Sequence, residues 1–152
     1  MEQTSSIRKV KQRDLELILG VLKGQIGEMY FGDIKKEVDD ICAGKAIGFV
    51  AEMNGTITGY VCCRKRVEVA YLETIAVKPR YQGKGFGRRL LEEAIETIKK
   101  EYPDIKVLNV ITDTDAHKTI GFYLKNGFEI SGYVSDEFIF GVRQAHLVKI
   151  IR

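Results

Sequence analysis

Tryptophan is absent from the 152 residues, and proline (2), histidine (2) and cysteine (3) are scarce. Each shortage excludes something. Cys42, Cys62 and Cys63 are odd in number and include an adjacent pair, which fits neither a disulfide framework nor a Cys-x-x-Cys redox or zinc motif. As strand neighbours, Cys62 and Cys63 point to opposite faces and read as small apolar fillers. His117 and His146 stand far apart without ligand spacing around them, so no metal is expected. No apolar stretch reaches the ~18 residues of a membrane-spanning helix. The opening MEQTSSIRKV lacks the apolar core of a signal peptide. The expectation is a cytoplasmic protein with no membrane partner. Charge of either sign is not in large surplus: Lys+Arg 24 against Asp+Glu 21 leaves a net +3, too mild to argue for nucleic acid. The run Arg64-Lys65-Arg66 follows an apolar strand and reads as its solvated end. A chain of this length, 45% hydrophobic and 30% charged, suits one domain, 1–152, with one sizeable core.

What is present is periodic. Residues 7–10 alternate and read as an edge strand. Leu15, Ile18, Leu19 and Leu22 have helical spacing, with Asp14 as their cap. A glycine-punctuated loop, GQIGEMYFG, leads to a second helix with Asp33 near its start and Gly44 just past its end. Two β-rich runs flank Asn54-Gly55, a strong hairpin signal. VEVAYLETIAV is the next strand, and Pro79 ends it. From Gly85 to about Glu101, Leu90, Leu91, Ala94, Ile95 and Ile98 form an apolar stripe on a helix. IKVLNVIT is a strand, HKTIGFYLKN a short helix stopped by Gly127, and FEISGYV and RQAHLVKII are the last strands. This order predicts an α/β fold: a single-domain mixed, mostly antiparallel sheet with helices on both faces. The strands on either side of the long helix should be parallel neighbours.

One junction stands out. VKPRYQGKGFGRRLL, from Val77 to Leu91, places three glycines among five Lys and Arg residues between a strand and a helix. A helix N-terminus has unpaired N–H groups and partial positive charge, so it attracts phosphate oxygens. Gly83, Gly85 and Gly87 let backbone come close, and Lys84, Arg88 and Arg89 add charge. The P-loop pattern is missing, and a dinucleotide fingerprint fails at Arg88, where a third glycine is required. Gln82, Gly85 and Gly87 make Gln-x-x-Gly-x-Gly. In this setting it resembles the acyl-CoA pyrophosphate loop of the GNAT N-acetyltransferase superfamily. Tyr123, Lys125, Gly127 and Phe128 resemble that family's later Tyr…Lys-x-Gly-Phe signature. The order of elements is similar along nearly the whole chain. Two positions depart from the pattern: Ala116 stands where many members have a pantetheine-contacting Asn, and Ile111 where some carry a Glu base.

The resemblance implies a GNAT-like fold whose parallel central strands splay apart, acetyl-CoA as cosubstrate, and direct acetyl transfer to an amine. It implies that Gln82, Gly83, Lys84, Gly85, Phe86, Gly87 and Arg88 hold the pyrophosphate, and that Ile75, Ala76 and Val77 offer backbone to the cofactor arm. It makes Tyr123 the proton donor to the leaving thiolate. An alkylammonium must lose a proton before it attacks, and Glu73 is the candidate base, directly or through water. Strand alternation puts Tyr71, Glu73 and Ile75 on one face; a salt bridge or a substrate-orienting charge is the competing reading for Glu73. Carboxylates and aromatics in two loops (Glu28, Tyr30 and Phe31; Asp136, Glu137 and Phe138), with Tyr71, are the expected acceptor pocket. A non-catalytic acyl-CoA sensor on the same fold is the alternative. The identity of the amine and the oligomeric state, a homodimer included, stay open.

Overall fold

Asn54 and Gly55 both adopt positive φ, 51° and 79°, the conformation of a two-residue turn whose twist matches that of its strands. The turn joins β2 (Ile47–Met53) to β3 (Thr56–Arg66). The structure, a computed structural model, describes residues 4–152; the first three residues of the opening MEQTSSIRKV lie outside the described residues. β1 (Ser5–Lys9) pairs with β2, and β4 (Val69–Val77) with β3, both antiparallel. α3 (Phe86–Glu101) then crosses over to β5 (Val107–Asp113), which runs parallel to β4. After α4 (His117–Lys125), β6 (Glu129–Ser135) passes to the sheet edge and β7 (Arg143–Ile150) slots between it and β5. The sheet order is β1-β2-β3-β4-β5-β7-β6.

Both faces are covered. α1 (Leu15–Leu22) and α2 (Phe31–Cys42) contribute Ile18, Val21, Leu22, Ile34 and Val38 to a core with Val50, Ile57, Tyr60 and Cys62. On the other face the expected stripe of α3 (Leu90, Leu91, Ala94, Ile95 and Ile98) meets Phe49, Val61, Cys63, Leu72 and Leu147. Burial on both sides explains why β3 reads as a nearly continuous apolar run, and Cys62 and Cys63 do fill opposite cores. Among the described residues no helix is long and apolar enough to cross a membrane.

β4 departs from a regular strand in two ways. First, its pairing with β5 is confined to Ala70–Leu108 and Tyr71–Asn109. Past that point β4 continues on β3 and β5 continues on β7, so a wedge opens between them. Second, Cys62 pairs with Thr74 and Cys63 with Leu72, leaving Glu73 as an extra residue, a β-bulge. The bulge reverses the alternation. Ala70 and Leu72 face α3 before it, and Ile75 and Val77 after it. The expected common face of Tyr71, Glu73 and Ile75 therefore fails at Ile75.

Two smaller expectations are also corrected. Asp14 makes no side-chain cap to α1. Its carboxylate instead accepts hydrogen bonds from the Lys11 N–H at 2.7 Å and from the Arg8 guanidinium at 2.8 and 2.9 Å. Arg64 is not a solvated strand end: it is half-buried and paired with Glu73 at 2.9 Å and Asp40 at 3.0 Å.

Candidate functional site

Beside the far end of β4 lies a groove of about 780 Å³, bounded by the end of β4, the glycine loop, the start of α3 and one side of α4. The loop is built in steps. Pro79 opens a single 3-10 turn, Pro79–Tyr81. Gly83 and Gly85 then take φ of 76° and 88°, values that a residue with a Cβ adopts with strain. Gly85 is the N-cap of α3 and offers no side chain to it. The N–H groups of Phe86, Gly87 and Arg88 thus have no acceptor within the helix and point toward the groove end of the loop. A Cβ built at Gly83 or Gly85 meets nothing within 4 Å, so the space beside this backbone is free for a ligand. The Gln82 side chain donates to the Val77 carbonyl at 2.9 Å, tying the loop to β4, while Lys118 donates to the Gln82 side-chain carbonyl at 2.9 Å.

Of the expected cofactor residues, Ile75, Ala76, Val77, Gln82, Gly83, Gly85, Phe86, Gly87 and Arg88 line the groove; Lys84 does not, and its ammonium lies 5.7 Å from the Tyr81 ring centre. Further lining residues are Gln25, Lys118, Phe122, Asn126 and Lys149. Lys118, Phe122 and Asn126 belong to the signature segment or the helix that carries it; Gln25 and Lys149 come from parts of the chain that only folding brings near. Unpaired N–H groups, a left-handed glycine turn and the cations of Arg88, Lys118, Lys125 and Lys149 suit a diphosphate. The free backbone edge of β4 suits an arm that carries amides.

Tyr123 is 4% exposed, packed between Phe122 and Phe128 with ring centres 5.5 and 5.3 Å away. It does not line the groove itself. Burial, and the neighbouring Cys63, push its phenol up from the ordinary value, so it keeps its proton. Glu73 bonds to Arg64 at 2.9 Å and lies 3.7 Å from Arg66, and Tyr71 carries the Arg66 guanidinium 5.2 Å from its ring centre. The two acceptor loops are separate. Glu28 and Tyr30 lie in an exposed 3-10 turn, and Phe31 starts α2 against the core. Asp136 accepts from the Gly141 N–H, and Glu137 bonds to His146 at 2.7 Å. Among the described residues no hydrogen bond or ion pair joins one loop to the other.

A further carboxyl went unnoticed in the sequence. Glu37 of α2 is 7% exposed. One of its oxygens accepts from the Thr74 hydroxyl at 2.7 Å, the other from the Tyr60 hydroxyl at 2.8 Å. The ligand atoms of Glu37, Cys62 and Glu73 all lie within 4.8 Å of one another. Burial pushes the Glu37 carboxyl up to about 7; the bonds from Thr74 and Tyr60 oppose this, the Glu73 charge adds to it, and Arg64 opposes it. The available signal was a misfit: Glu37 occupies a position in the apolar spacing Ile34, Val38, Ile41.

Comparison with known proteins bears on this site. Residues 25–128 match the model of the acetyltransferase (GNAT) family. The chain is 33% identical over 88 residues to an uncharacterized N-acetyltransferase of Methanocaldococcus jannaschii, a stretch covering 53% of this chain and 38% of that protein. It is 35% identical over 86 residues to the N-alpha-acetyltransferase RimI of Mycobacterium tuberculosis, covering 54% of this chain and 51% of the relative. The matched stretches thus span about half, or less, of these relatives' lengths. PaiA N-acetyltransferase from Thermoplasma acidophilum, solved in complex with coenzyme A, has the same fold, with a TM-score of 0.76 and 22% identity over 97% of this chain and 99% of that one.

Proposed function

Because the chain belongs to the GNAT acetyltransferase family, we propose that it is an acyltransferase moving an acetyl group from acetyl-CoA directly to a primary amine of a small molecule or protein. The observation that carries this reading is a shared wall: Ile75, Ala76 and Val77, the part of β4 past its last pair with β5, line the same groove as the glycine-lined N-terminus of α3. Acetyl-CoA supplies an activated thioester. The N–H groups at the start of α3, with Arg88, bind its diphosphate, and Ile75, Ala76 and Val77 receive its arm along the edge of β4 past β5, where the Val77 carbonyl is already held by Gln25 and Gln82. Tyr123, kept protonated by burial, gives a proton to the departing sulfur. Glu73, the bulged residue of β4 and bonded to Arg64, orients the cationic acceptor. Glu28, Tyr30, Phe31 and Tyr71 on one side, and Asp136 and Glu137 on the other, form the acceptor's surroundings. The likeness to an N-alpha-acetyltransferase supports keeping protein N-termini among the acceptors. Free thiols at Cys42, Cys62 and Cys63 support a reducing, cytoplasmic compartment.

The test is thiol release from acetyl-CoA across a panel of amines: polyamines, amino acids, aminoglycosides and peptides with free N-termini. Release with at least one amine, and acetylated product by mass spectrometry, is expected. Tight acetyl-CoA binding without release for any amine would favour a sensor and overturn the reading.

A further inference from the structure

We propose that Glu37, reached through the Thr74 hydroxyl, takes up the proton that the acceptor ammonium must lose. The inference rests on the acetyl-transfer reading. A carboxyl in the apolar face of α2 is costly unless its oxygens are satisfied. Here one oxygen is held by Tyr60 and the other by Thr74. Tyr60 is fully buried, and burial pushes its phenol up, so it keeps its proton and donates it in the bond to Glu37. Thr74 differs: it is half-buried, follows the bulged Glu73, and lies past the last β4–β5 pair, where β4 borders the wedge. Its hydroxyl turns to the α2 face, opposite Ile75, and so offers the buried acid a contact at the strand that borders the wedge.

The charges around Glu37 point the same way. From β3 it is faced by Tyr60, Cys62 and Arg64, and from β4 by Glu73. Burial pushes the Cys62 thiol up, so it stays neutral. Arg64 is bonded to Glu73 and to Asp40 on α2, and Arg66 lies near Glu73. Asp40 is held well down by Lys36 first. Among the described residues α1 adds apolar side chains to this core: Leu15, Ile18, Leu19, Val21 and Leu22. Among the described residues no Lys or Arg forms an ion pair with Glu37. Glu37 is thus a carboxyl with no cation of its own, beside a second carboxylate, whereas Glu73 is bonded to Arg64 and near Arg66. The Glu37 value of about 7 is that of a base matched to neutral conditions.

The step balances. A proton passes from the ammonium to the Thr74 oxygen while the Thr74 hydroxyl proton passes to Glu37, so the hydroxyl is regenerated and Glu37 becomes a neutral acid. The freed nitrogen lone pair forms the N–C bond at the thioester carbon, and the C–S bond breaks. Sulfur leaves with the electron pair and takes the Tyr123 proton, and the second proton shed by nitrogen restores the phenol. Glu37 returns its proton to solvent by the route through Thr74.

The experiment is the pH profile of kcat/KM for the wild type, E37Q, T74V, T74S and E73Q with one acceptor from the amine panel. Wild type should show an acidic limb near pH 7. E37Q should lose that limb and ~10²–10⁴-fold in rate at neutral pH, recovering toward the pH at which the amine is itself neutral. T74V should reproduce this loss with Glu37 intact, and T74S should restore the limb. E73Q should keep the limb, displaced to lower pH by loss of a like charge, with a raised KM. Unchanged acetyl-CoA affinity and a cooperative melt identify folded variants, and the conservative Thr74 pair keeps the test decisive if E37Q does not fold. An E37Q or T74V profile overlapping wild type, or loss of the limb in E73Q, would sink the proposal while leaving acetyl transfer in place. Absence of thiol release by the wild type itself would overturn both.

Discussion

Tyr123 and Glu37 illustrate how burial sets a proton's location. Each is raised above its ordinary value chiefly by desolvation, which favours the neutral form of any acid. For Tyr123 this leaves a phenol ready to donate. Tyr123→Phe keeps the ring between Phe122 and Phe128 and removes one hydroxyl, so kcat should fall by ~10²–10⁴ with little change in acetyl-CoA affinity; stopped-flow rates and calorimetric titration check both. For Glu37 the same physics touches stability. Its carboxyl titrates at 4.5 ordinarily and at about 7 in the fold, so the folded chain binds the proton more tightly. The contribution to stability is fully present below pH 4.5 and is lost as pH rises through about 7. Glu37→Gln should therefore match wild type in urea denaturation at pH 4.5 and exceed it by up to ~3 kcal/mol above pH 8. Equal stabilities at both pH values would mean that the carboxyl is not held neutral. The misfit of Glu37 in an apolar stripe was visible in the chain. Its partners were not, because Tyr60 and Thr74 belong to strands whose faces depend on pairing.

At the scale of elements, the glycine loop and α3 were the most legible part. Apolar spacing marks α3, and glycine is the residue that takes a φ of 88° at its N-cap without strain. Gly85→Val should abolish acetyl-CoA binding while the circular dichroism stays close to wild type: a branched side chain disfavours this backbone and fills the free space beside it. Calorimetry showing wild-type affinity would reduce the loop to a turn. The β4 bulge was illegible. Leu72-Glu73-Thr74 contains no glycine or proline to announce it, and the extra residue exists only relative to Cys62 and Cys63 on the neighbouring strand. That one insertion moves Ile75 to the α3 side and leaves Thr74 bonded to α2.

At the scale of the whole molecule, the groove joins β4, α3 and α4, so a ligand filling it ties these elements together. Acetyl-CoA at about 100 times its Kd should stabilise the fold by ~2.7 kcal/mol, a rise of roughly 5–11 °C in Tm for a chain of this size. Differential scanning fluorimetry with acetyl-CoA, CoA and NAD tests it; a shift with NAD alone would contradict the assignment of the groove. What the sequence determined by itself was local: which segments are helices and strands, where the hairpin turns, and where backbone is bared for a diphosphate. These follow from spacing and from the φ preferences of single residues. Tertiary structure decided the placement of β7 between β5 and β6, the extent of the β4–β5 pairing, the face each β4 side chain takes, and the meeting of Glu37 with Thr74 and Tyr60. Each of these depends on the register between segments distant in the chain, and register is a property of pairs of strands that no single segment encodes.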